Sequence, residues 1–100
     1  MKQLLLASAL SLLTVTSANA LTDEQVCFIV AETAYQAQHH QRSGTSYEEV
    51  LDILNQNVTE ETLPLMEMIV TVTEGVYNEY NRDQIEIEVA IDVYNRCIRL

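Results

Sequence analysis

The chain has a single lysine, at position 2, and no tryptophan, one phenylalanine, one proline and two glycines among its 100 residues. With one lysine and four arginines against fifteen Asp and Glu, the surface repels phosphate backbones and anionic lipid headgroups, so nucleic-acid and membrane-surface binding are disfavoured. Gly44 and Gly75 lie thirty-one residues apart and cannot build a phosphate-cradling loop. Serine is thin beyond the first twenty residues. Ser43 falls in a turn and Ser46 reads as a helix cap, which leaves no serine for a Ser-His-acid triad. Cysteine occurs twice, as Cys27 and Cys97, with no CxxC spacing.

What is present first is a leader. In MKQLLLASALSLLTVTSANA, Lys2 supplies a positive start, Leu4 to Thr16 is a charge-free apolar run of 13 residues, and Ala18-Asn19-Ala20 is the small-x-small sequence cut by signal peptidases. Spanning a bilayer takes about 20 apolar residues, so this run reads as a cleavable signal rather than an anchor. Position 21 is Leu, not a lipid-modified Cys. The expected mature protein is one domain, Leu21–Leu100, exported to a periplasmic or extracellular compartment and free of the membrane after cleavage. Cleavage removes the lysine and leaves four arginines against fifteen carboxylates, a formal charge of −11. Such acidity confers solubility and also steers a basic partner. Regular Val, Ile and Leu content argues against disorder.

Helix signals recur along the mature chain. Thr22 with Gln25 forms a capping box, opening a helix of about 23–41 with an apolar stripe of Cys27, Val30, Ala31, Ala34 and Ala37 or Gln38. Its three alanines imply a closely approaching neighbour, and Gly44 is a natural stop. Ser46 with Glu49 caps a second helix, about 47–56, burying Val50, Leu51 and Leu54. Asn57-Val58-Thr59 matches a glycosylation sequon, but behind a leader of bacterial style it reads as a loop. A third helix starts at Thr59 or Thr62 with Pro64 in its first turn, and Gly75 inside it marks close packing or a kink. Asn81-Arg82 is a turn. Asp83 with Glu86 resembles a capping box for a last helix of about 84–99.

That last segment carries two patterns. Ile85, Ile87, Val89, Ile91 and Val93 alternate as in a strand, while Ile87, Ala90, Ile91, Tyr94, Cys97 and Ile98 form a helical stripe. Helix is the better reading, because the alternation ends at Val93 and no comparable strand exists to pair with it. The fold class is therefore all-α, a small bundle of about four helices. In an oxidising compartment Cys27 and Cys97 pair, closing about 71 residues and contributing roughly 4.4 kcal/mol on the loop-entropy model. The bridge puts the start of the first helix beside the end of the last.

Few residues suggest chemistry. Acidic pairs such as Glu48/Glu49 and Glu86/Glu88 are expected by chance in so acidic a chain. His39 and His40 point about 100° apart on a helix and have Tyr35 and Gln36 one turn back, so they read as a solvated helix end rather than a metal site. No catalytic residue, metal or cofactor is expected. Tyr77, Tyr80 and Arg82 around the Asn81 turn are the candidate partner surface, since Tyr and Arg are enriched at interface hot spots, although tyrosines equally roof small cores.

In overall plan — an exported leader, about eighty helical residues and one long-range disulfide — the chain resembles HdeA-type acid-stress chaperones and some immunity proteins that neutralise cell-wall-cutting toxins. The resemblance is architectural and carries over no site residues. It is consistent with either a protein-binding or inhibitory module for a basic protein, or an acid-responsive chaperone for unfolded clients. A second copy of the chain is a further candidate partner, given the excess of branched aliphatics.

Overall fold

In the computed structural model of the protein, which describes residues 21–100, two reciprocal capping boxes set the first half of the fold. The expected leader, residues 1–20, lies outside the described residues. The Thr22 hydroxyl accepts from the Gln25 amide while the Gln25 side chain accepts from the Thr22 amide, opening helix α1, Asp23–Arg42. Ser46 and Glu49 repeat the arrangement at the start of α2, Tyr47–Gln56. Between them α1 ends in a Schellman turn. Gly44 sits at φ +84°, its N–H bonds Gln41 O, and the Thr45 N–H bonds His40 O.

A one-turn 3-10 segment, Leu63–Leu65, follows a Thr59–Thr62 hydrogen-bonded loop and leads into α3, Met66–Glu79. Pro64 thus stands in the 3-10 turn rather than in the first turn of the α-helix. The last helix, α4, is Glu86–Ile98. Its cap differs from expectation. Ile85 occupies the N-cap position with no side-chain cap, and the Asp83–Glu86 pairing is not made because the Glu86 carboxylate is engaged elsewhere. Gly75 also departs from expectation. A Cβ built on it meets nothing within 4 Å, so neither close packing nor crowding explains that glycine.

The four α-helices form a bundle centred on α1, which is covered on most of its circumference. Ala34 and Ala37 are buried against Val76 of α3 and Val89 of α4, so the small side chains do admit two neighbouring helices. A second cluster joins α2 to α3 through Val50, Leu54 and Ile69, and Tyr77 touches both clusters. The connector from α3 to α4 is fastened by amides. The fully buried Gln38 donates through Nε2 to the carbonyls of Asn81 and Gln84, at 2.8 Å each, and accepts from Gln41, which itself reaches the Tyr80 carbonyl.

Cys27 and Cys97 are bonded, with their Cα atoms 5.5 Å apart. The bridge makes α1 and α4 antiparallel neighbours, start beside end. In a domain this small the core alone supplies little surplus stability, so the crosslink matters. Replacing both cysteines by serine is expected to lower unfolding free energy by about 2–5 kcal/mol in urea titrations followed by circular dichroism. An unchanged midpoint would contradict this role.

Candidate functional site: an apolar groove between the first and last helices

The α4 segment carries an apolar arc wider than one buried face, opposite a polar edge of Glu88, Asp92, Asn95 and Arg96, because a strand-like alternation has been wound into a helix. Wound at 100° per residue, Ile87, Ile91, Tyr94 and Ile98 fall on one face, and Val89 and Val93 on another. Only one face can enter the core. The stripe expected to be buried is largely the one left outside. Val89 is fully buried and Ala90 and Val93 accompany it, whereas Ile87 and Ile91 are 53% and 54% exposed and Ile98 is also exposed. The choice is set at the two ends of the helix, by the Cys97 bridge and by Glu86.

From sequence, Glu86 is one of many surface carboxylates and His39-His40 a solvated helix end. Both readings need correction. The Glu86 side chain is 11% exposed and is held between His39 Nδ1, at 2.7 Å, and the Arg42 guanidinium, both from the last turns of α1. His40 is buried, because the chain turns back over the end of α1. Burial acts to push the Glu86 carboxyl up. The hydrogen bonds from His39, from its own backbone amide and from Arg42 outweigh it, and the net effect holds Glu86 below the usual carboxylate range. A buried carboxylate satisfied in this way is stable only while ionised.

With α4 clamped in this orientation, its outer isoleucines and the outer face of α1 form the two walls of a groove of about 420 Å³. Phe28, Ala31 and Tyr35 line one wall, and Ile87, Ile91 and Tyr94 the other. Phe28 is 45% exposed. The concavity continues past Phe28 and Tyr94 toward Leu21 and Glu24. Two charged residues line it, Glu24 and Glu32, and both are acidic. Glu32 is unusual. Its Oε2 is buried with no hydrogen-bond partner among the described residues, and burial raises its carboxyl above the ordinary range.

The candidate partner residues lie elsewhere. The Tyr77 hydroxyl donates to the Thr45 carbonyl at 2.7 Å and its ring centroid lies 5.8 Å from that of Tyr47. Tyr80 donates to Asp92, and the Arg96 guanidinium sits 5.9 Å from its ring centroid. Burial raises both hydroxyls to about 12, with Asp92 adding to the effect at Tyr80. Arg82 is exposed, beside Gly44. Tyr80 thus packs on the side of α4 that carries Asp92 and Arg96, away from the groove. Among the described residues no three His, Cys, Asp or Glu side chains gather where they could hold a metal ion, and no helix is long and apolar enough to cross a membrane.

Because its folded-state carboxyl is held low, Glu86 contributes stability that is present above its unfolded value, about pH 4.3, and lost as pH falls through the lower folded value. Glu86→Gln is expected to lower stability at pH 7 by about 1.5–3 kcal/mol and to flatten the loss between about pH 5 and pH 3, measured by urea unfolding across that range. An equally steep acid loss in the variant would contradict the assignment.

Comparison with protein-family models, with curated proteins and with solved structures finds no match to this chain.

Proposed function

We propose that the protein is an exported binding module, periplasmic or secreted, that holds a basic protein partner in the α1–α4 groove. The observation that carries this reading is the second apolar face of α4. Ile87, Ile91 and Tyr94 stand with Phe28 around an open groove whose charged residues are acidic. Exposed apolar surface rimmed by polar groups marks interaction sites. The occupant that fits is an amphipathic helix with an apolar ridge for the isoleucines and a lysine or arginine reaching Glu32. That cation would give the orphaned carboxylate oxygen its partner and favour its ionised form. The rest of the surface helps the encounter. Among the described residues only Glu79, Glu86 and Asp92 meet a cation within ion-pair distance, which leaves most of the acidic charge free to steer a basic protein. The leader and the Cys27–Cys97 bridge support export.

One observation favours a second reading, the acid-responsive chaperone. Protonating Glu86 removes the charge that fastens α4 to α1 and would free apolar surface for unfolded clients. An environment-sensitive dye added to the acid arm of the Glu86 titration separates the readings. Reversible dye uptake on acidification supports the chaperone, and no uptake down to pH 2 removes it.

The binding reading is tested with two synthetic helical peptides of one leucine pattern, one carrying lysines and the other glutamates on its polar face. The Leu/Lys peptide is expected to shift the amide resonances of Phe28, Tyr35 and Ile91, more weakly at high salt. Phe28→Ser and Ile91→Ser should each weaken it about tenfold or more without changing the far-ultraviolet dichroism. Shifts scattered over the acidic surface and indifferent to both substitutions would contradict the groove.

A further inference from the structure

The face of α1 turned away from the groove is polar where a packed helix should be apolar. Thr33, Gln36 and His40 recur at i, i+3 and i+7 and are all buried. Thr33, Gln36 and His40 line a cavity of about 370 Å³ between α1, α2 and α3, with buried Thr73 in its wall and the exposed Glu49 and Asn57 at its rim. An empty hole lined by aliphatic side chains costs about 24 cal/mol per Å³, whereas a hole lined by polar groups is a place for water or a ligand.

We infer that this cavity binds a small amine bearing an amide or hydroxyl group. The donor and acceptor pattern selects that class. Gln36 is 7% exposed, and its Nε2 has no hydrogen-bond partner among the described residues, so the floor offers a donor to a ligand oxygen. Thr33 and Thr73 spend their hydroxyl protons on the carbonyls of Ile29 and Ile69, at 2.8 Å each, and face the cavity as acceptors. Glu49 supplies the one charge in the lining. Its carboxyl is held low by hydrogen bonds from Ser46, so it stays ionised and favours an ammonium. No arginine or lysine lines the cavity, which disfavours carboxylates and phosphates. Val50 and Leu54 give a carbon skeleton apolar contact. The volume falls within the range of small-molecule sites, about 300–1,000 Å³.

The polar stripe also has an energetic signature. A donor kept buried without a partner is a cost that water or a ligand in the cavity relieves. This inference is independent of the groove, which lies on the other side of α1.

Three probes of one skeleton test it, namely leucinamide, the neutral N-acetylleucinamide and the anionic N-acetylleucine, titrated into the full domain while amide resonances are followed. Leucinamide is expected to give saturable shifts at Thr33, Gln36 and Thr73 with a dissociation constant of about 1–10 mM, and N-acetylleucine none. Glu49→Gln preserves the capping box and should weaken leucinamide about tenfold while leaving N-acetylleucinamide unchanged. Gln36→Leu should abolish the shifts and leave the thermal midpoint unchanged or raised by a few degrees. No saturable shift at the cavity with any probe, equal binding of the anion, or a lowered midpoint in Gln36→Leu would overturn the assignment and make the cavity a site for solvent alone.

Discussion

The antiparallel pairing of α1 with α4 is the constraint on which the rest of the structure depends, and it is fixed at both ends by different chemistry. At one end the Cys27–Cys97 bond ties the start of α1 to the end of α4. At the other, Glu86 at the start of α4 is held by His39 and Arg42 at the end of α1. Between these points Ala34 and Ala37 let Val89 approach the centre of the bundle. Two fixed ends leave α4 no freedom to roll about its axis. That decides which of its two apolar faces enters the core and which becomes a wall of the groove.

The treatment of buried polar groups sorts structure from function. Gln38, fully buried, makes two donor bonds to the α3–α4 connector and accepts one from Gln41, so it acts as a complete fastener. Glu86 is likewise satisfied on both oxygens. Glu32 Oε2 and Gln36 Nε2 are buried without partners among the described residues. Each lines one of the two concavities that flank α1, Glu32 the apolar groove and Gln36 the polar cavity. Incomplete polar groups placed where the fold is concave are where a small protein departs from its own packing rules, and such departures concentrate at functional sites.

What could be read from the sequence was local. The Thr22/Gln25 and Ser46/Glu49 capping boxes and the Gly44 stop act over three or four residues, and all are present. The helical form of residues 86–98 was also legible, from a stripe longer than the competing alternation. The orientation of that helix was not. Alternating isoleucines and valines wound into a helix spread over an apolar arc wider than the face that can be buried, so the periodicity does not tell which part of the arc turns in. The deciding contact, Glu86 with His39, spans 47 residues, and in a chain with fifteen carboxylates nothing singled Glu86 out. The same nonlocality hid the groove and the cavity, since both are spaces between helices that only the packing defines. The polar Thr33–Gln36–His40 stripe, at helical spacing beside an apolar one, was the one available signal for the cavity.

Native-state hydrogen exchange measures the central claim, that α1 and α4 form one clamped frame against which α2 is lightly packed. The account predicts that the slowest amides are those of α1 and α4, that they exchange with a common free energy equal to global unfolding, and that α2 opens well below it. Protection in α4 that is lower than and independent of α1 would contradict the clamp and, with it, the origin of the groove.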